Sequence, residues 1–215
     1  MTPEDTDRLI AELAKNTAAH TGAPSPSLRQ LIPAAAALAF ALAIALALTF
    51  FGSGSDLIAA VIKPWTYWKL LCMATLALGA WNAIRELAQP GYAPPRLGVL
   101  FAALLLLGFG ALIDPSGLSF SGRTSVSVPV CLAAIVLQSL PGIILILFCL
   151  RWATTTTRPT LTGAATGLLA GAIGAAAYAF VCRNDGGLFV FFWYGVGVAI
   201  ATAIGAAFGR RMLAW

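Results

Sequence analysis

The chain has 215 residues, of which 60% are hydrophobic and 10% charged, with a net charge of +5. Ordinary soluble domains carry roughly a quarter charged residues, so 13 basic and 8 acidic side chains are too few to cover a water-facing surface of this size, and long stretches carry none. Lipid is the solvent that such a pattern fits. The Lys and Arg stand singly between apolar runs and make no basic face for phosphates. Nucleic acid is therefore not expected as a direct partner, and the positive balance reads as membrane orientation.

Residues 1–30 form a polar head. Thr2 is suited to an N-cap, Pro3 to the first helical position, and Glu4 and Asp5 to the first turn. Thr6, Leu9, Ile10, Leu13 and Thr17 then follow an i, i+3, i+4, i+7 pattern, which predicts a short amphipathic helix ending near Lys15. Residues 22–27, Gly-Ala-Pro-Ser-Pro-Ser, read as a linker. A helix this short is marginal alone in water, so its apolar stripe needs a surface. The pattern leaves open whether that surface is the membrane and bundle or a partner protein. No cleavable signal is expected, because acidic residues and no short basic start precede the first apolar run.

Six apolar runs follow, at about residues 31–51, 68–87, 97–113, 130–150, 161–181 and 189–209. Each is predicted to be a helix crossing a hydrocarbon core of about 30 Å, because helices satisfy their own backbone in lipid. With the N-terminus cytoplasmic, Arg8, Lys15, Arg29, Arg85, Arg96, Arg151, Arg158, Arg210 and Arg211 lie inside, against Lys63, Lys69, Arg123 and Arg183 outside. That bias places both termini in the cytoplasm. Trp65, Tyr67, Trp68, Trp193 and Tyr194 fall at the outer interface, and Trp152 and Trp215 at the inner one.

Gly163, Gly167 and Gly171 recur every four residues, and Gly205 and Gly209 form a second pair. Small residues so spaced allow close helix approach, here favouring the last two helices packing on each other over a homodimer face. Pro141, in the middle of the fourth run, removes a backbone donor and predicts a kink.

Chemistry has few places to live. The single histidine, His20, lies in the head, so no His-based triad or cluster exists in the bundle. The runs are nearly free of ionisable residues, with Lys69, Arg85 and Glu86 at their ends, which weakens a transporter reading. An enzyme is not expected. Cysteines remain: Cys131 opens the fourth run and Cys182 closes the fifth, both at the outer face, where disulfides persist in bacteria. Cys149 lies about 27 Å from Cys131 along the helix and cannot join them. Arg183 beside Cys182 favours thiolate, hence oxidation or soft-metal binding. The plainer alternative is that buried cysteines are small hydrophobes, and it is preferred for Cys72 and Cys149.

The order of motifs in the C-terminal half carries a resemblance. Cys131-Leu132, Ser139-Leu140-Pro141 and Arg151 precede the Gly/Ala-rich fifth run. Tyr178-Ala179-Phe180-Val181-Cys182, Phe189-Val190, Trp193-Tyr194-Gly195 and the closing Gly209-Arg210-Arg211-Met212-Leu213-Ala214-Trp215 follow. With Trp68-Lys69 and the Asp7-Arg8-Leu9-Ile10-Ala11-Glu12-Leu13-Ala14 stretch, the chain resembles the NrsF family of bacterial six-pass membrane anti-sigma factors over essentially its whole length. The resemblance implies that an extracytoplasmic-function (ECF) sigma factor is held at the inner membrane and released on stress such as heavy metals or oxidants. It also implies that Cys131 and Cys182 perceive the signal, through a disulfide or a transient heavy-metal ion, and that there is no resident cofactor. The N-terminal segment, with Leu9, Ile10 and Leu13, is the natural sigma-binding site. Many family members have His directly before the second cysteine; Val181 stands there in this chain, which favours thiol oxidation over metal coordination.

The expectation is thus an all-α integral membrane protein: a six-helix bundle over residues 31–215, preceded by a cytoplasmic N-terminal amphipathic helix and linker over residues 1–30. It would act as an inner-membrane anti-sigma factor, with lipid and the sigma factor as partners and a homo-oligomer left open. A small multi-pass channel or facilitator for neutral solutes, its Gly-rich helices lining a path, is the alternative from a different class.

Overall fold

The computed structural model describes residues 5–12, 28–50, 62–88, 97–114, 116–118, 120–124, 127–153 and 156–214. Their regular structure is entirely helical. In chain order the helices are α1 (residues 5–12), α2 (Leu28–Phe50), α3 (Pro64–Leu87), α4 (Gly98–Leu112), α5 (Ser127–Ala153) and α6 (Pro159–Ala179). The last, α7 (Gly187–Met212), includes a π-helical turn at Val190–Tyr194.

Helices α2, α3, α5, α6 and α7 are long and apolar enough to cross a membrane. The third run folds as α4, a shorter apolar helix of 15 residues, about 22 Å at 1.5 Å per residue. Large side chains on the outward faces are apolar: Phe101, Leu104, Leu105 and Phe109 of α4 and Ile144 and Phe148 of α5 are each more than half exposed. Such a surface would be a liability in water.

Prolines set several boundaries. Pro64 and Pro159 occupy the first turns of α3 and α6, where a missing N–H costs nothing. Pro141 lies inside α5, which remains one helix through it.

Helix α6 is the axis of the bundle, packed against α7, α5, α3 and α2. It can be surrounded because its sequence is mostly Gly and Ala, and 15 of its 21 residues are buried. The glycine spacing is consumed in the α6–α7 contact. A Cβ added to Gly163 would lie 2.7 Å from the Gly209 Cα, and one on Gly205 would lie 2.6 Å from the Gly167 Cα. These glycines face the backbone of the neighbouring helix, as the spacing predicts, and so line no path along that contact. A Gly167→Val substitution brings a Cβ within 2.8 Å of the Thr202 Cα, which cannot swing aside, and should cost about 1–3 kcal/mol or more. Thermal unfolding in detergent checks this against Gly98→Val, where a Cβ meets nothing within 4 Å. Equal melting of the two variants would refute the packing argument.

Two buried clusters stack along the bundle. One, at the end holding the α3 and α7 N-termini, contains Cys72, Met73, Ile135, Phe189 and Val198. The other contains Ile32, Ile84, Ile146, Leu147, Leu150 and Leu213. Arg85, Arg151, Arg158, Arg210 and Arg211 mark the helix ends on this second side. Every residue of α1 is exposed.

Candidate functional site

Cys131 sits five residues into α5 with no exposure, and Cys182 lies three residues past the end of α6 at 8% exposure. Helix α6 closes with a tight turn: the Val181 and Cys182 amides donate to the Tyr178 carbonyl at 3.0 and 2.9 Å. That turn points Cys182 back into the bundle. Both cysteines, with Cys72, belong to the first buried cluster, and all four cysteines are free thiols. Cys149 packs against the second cluster, away from the pair. Among the described residues, no three His, Cys, Asp or Glu side chains come together as metal ligands. A soft ion at the pair would rest on the two sulfurs.

A buried ion pair adjoins the cysteines. Lys69, in the second turn of α3, is fully buried, and its ammonium donates to the Asn184 carbonyl at 2.7 Å and to Asp185 Oδ1 at 2.9 Å. Lys63 reaches the other Asp185 oxygen at 3.4 Å. Burial alone would raise the Asp185 pKa; the charge and hydrogen bond of Lys69, and then those of Lys63, outweigh it and hold the carboxyl below its ordinary value. The Asn184 carbonyl also accepts from the Cys182 thiol at 3.7 Å. Lys69 thus reaches the Cys182 segment through this shared acceptor, a cation the sequence did not single out beside Arg183.

Connecting segments are tied together over this end. The Asn184 Oδ1 accepts from the Arg123 amide at 2.9 Å. Asp114, just past α4, accepts from the Ser116 amide at 2.9 Å and from the Leu188 amide at 3.3 Å, so it caps α7 from a distant part of the chain. Burial raises the Asp114 pKa, but hydrogen bonds from the Ser116 side chain and then from the Ser116, Leu188 and Gly187 amides prevail and lower it overall. Trp193 donates its indole N–H to the Phe120 carbonyl at 2.9 Å.

Tyr194 corrects the expectation of an interfacial aromatic: it is fully buried, with its ring centroid 6.0 Å from that of Tyr178. It ends the π-helical turn, whose extra residue rotates the side chains that follow relative to an α-helix. Such turns recur at functional sites. The Tyr194 hydroxyl and both ends of the Gln138 amide are buried without a hydrogen-bond partner among the described residues.

Of the expected partner-binding residues, Leu9 and Ile10 lie on α1 at 49% and 59% exposure, and Leu13 lies outside the described residues. Neither Leu9 nor Ile10 belongs to the cysteine cluster.

The family described as "Negative regulator of sigma F" (NrsF) matches residues 16–215. A protein of Azospira oryzae named "Probable anti-sigma-F factor NrsF" is 32% identical over 168 residues, covering 74% of this chain and 77% of that protein. The "Anti-sigma-F factor NrsF" of Caulobacter vibrioides is 30% identical over 172 residues, with the same coverage. No solved structure matches the chain.

Proposed function

Because this chain belongs to the NrsF family of negative regulators of sigma F, we propose that it is an inner-membrane anti-sigma factor, holding an ECF sigma factor until an oxidant or soft metal acts on Cys131 and Cys182. The single observation that carries the sensing half is the burial in one cluster of two free thiols, one on α5 and one in the segment that follows α6. A disulfide between them would join the first turns of α5 to the segment linking α6 and α7. The membrane half is supported by five helices of spanning length and apolarity. With α4 as a sixth, short crossing, both termini fall on one side, the side of Arg85, Arg151, Arg158, Arg210 and Arg211, which is cytoplasmic by the excess of basic residues.

Sigma binding belongs to the N-terminal segment. Leu9 and Ile10 are exposed apolar side chains on one helix, and Leu13 continues their stripe in the sequence. An amphipathic helix laid in a partner's groove is a common recognition mode. Signal and capture need be only weakly coupled: a tenfold loss of sigma affinity is about 1.4 kcal/mol, within reach of a helix shift of an ångström or two.

Charge at the stripe tests the capture site. Leu9→Asp should abolish co-purification of the sigma factor from detergent extracts without altering the bundle. Undiminished capture by this variant would remove α1 from the interface.

A further inference from the structure

We infer that Lys69 is the positioning residue of the cysteine site: its buried ammonium fixes the 182–186 segment against α3 and thereby biases Cys131 and Cys182 toward the free-thiol state. The inference rests on the reading of these cysteines as the signal-sensing pair.

An ammonium with no exposure is costly unless fully paired, and an apolar side chain of similar size often serves stability as well. What the lysine supplies in exchange is geometry. Its nitrogen reaches two successive residues, the Asn184 carbonyl and the Asp185 carboxylate, and so fixes both position and direction of the backbone there. The Asn184 side chain is held separately by the Arg123 amide. Cys182 is two residues away, and its thiol donates to the same Asn184 carbonyl that Lys69 holds. The free thiol therefore has an acceptor whose place is set from α3.

Disulfide formation must give this arrangement up. The Cys182 sulfur leaves the Asn184 carbonyl, the Cys131 and Cys182 S–H bonds break, and one S–S bond forms. Two protons and two electrons pass to the oxidant, which in a thiol–disulfide exchange is itself a disulfide reduced to a dithiol. Without Lys69, the Asn184 carbonyl loses its charged donor and keeps the weak thiol one, and the segment, still tied by the Arg123 amide and Lys63, is held less firmly in place. The free-thiol state loses its advantage, and the equilibrium moves toward the disulfide.

The test equilibrates the full-length protein in detergent, without sigma factor, against mixtures of reduced and oxidised dithiothreitol. Free thiols are then trapped and the Cys131–Cys182 disulfide is quantified by mass spectrometry. Lys69→Met should favour the disulfide at least tenfold over wild type, about 30 mV for a two-electron couple. Lys69→Arg, which keeps the charge and the donors, should stay within threefold of wild type. Lys69→Gln, keeping a donor without charge, should fall between them and serves if methionine disrupts folding. A wild-type equilibrium in Lys69→Met or Lys69→Gln overturns the inference. So does an equal shift in Lys69→Arg, which would mean general loosening, and so does the absence of any Cys131–Cys182 disulfide at every ratio. Each of these results leaves sigma capture standing, because capture is measured separately by co-purification.

Discussion

Asp185→Ala is expected to be the most destabilising single polar substitution at the cysteine end. Removing the carboxylate leaves the Lys69 ammonium buried with one neutral acceptor, the Asn184 carbonyl. Breaking a fully buried pair from one side costs roughly 3–5 kcal/mol. Asp185 keeps 15% side-chain exposure and Asn184 still accepts, so about 2–3 kcal/mol is the expected loss. Denaturation in detergent at neutral pH measures it. Removing both charges, as Lys69→Met with Asp185→Ala, should cost less than Asp185→Ala alone, because no orphan charge remains. The pH dependence has a definite sign. Asp185 is held below its ordinary pKa, so its contribution is complete above the unfolded value of about 3.9 and fades as pH falls through the lower folded value. Wild type and Asp185→Ala should therefore differ at neutral pH and converge in acid. Equal stability at neutral pH would show that Lys69 is paired by something else.

The second large effect is on regulation. Wild type is expected to release sigma at least tenfold on exposure to a thiol oxidant or cadmium, whereas Cys131→Ser/Cys182→Ser should hold it under the same treatment. Serine at 182 can donate to the Asn184 carbonyl as the thiol does, so the resting arrangement is preserved. Each single substitution should behave like the double, since a bridge needs both sulfurs. Cys149→Ser should respond normally, because Cys149 packs in the other cluster. Co-purification of sigma with and without stress decides it; full release from the double variant would end the sensing proposal.

Much of this was legible in the sequence. Apolar run lengths located the long helices, and the four-residue glycine spacing foretold the α6–α7 contact. Counting helices placed Cys131 and Cys182 at one end and Cys149 at the other. Lys69 was not legible. The apolar run starts at Trp68, so the lysine looked like an end charge, but Pro64 starts α3 four residues earlier and carries Lys69 into the second turn. Its partner Asp185 is 116 residues away, and no local pattern encodes such a pairing. Tyr194 was misplaced for a related reason. An aromatic beside Trp193 reads as interfacial, and π-helical turns have no composition that announces them. The length of α4 was visible, since the shortest apolar run, residues 97–113, folds as Gly98–Leu112; the tie of Asp114 to Leu188, far along the chain, was not.

The glycine contact has a mechanical consequence. Two helices whose backbones touch at Gly163, Gly167, Gly205 and Gly209 have no side-chain cushion between them, and close-packed interiors transmit strain without absorbing it. They form one stiff beam, with the cysteine turn at one tip and Arg158, Arg210 and Arg211 at the other. Under the proposed mechanism, a tilt imposed at Cys182 would reappear at the arginine tip as displacement, with the glycine contacts keeping the lever from bending.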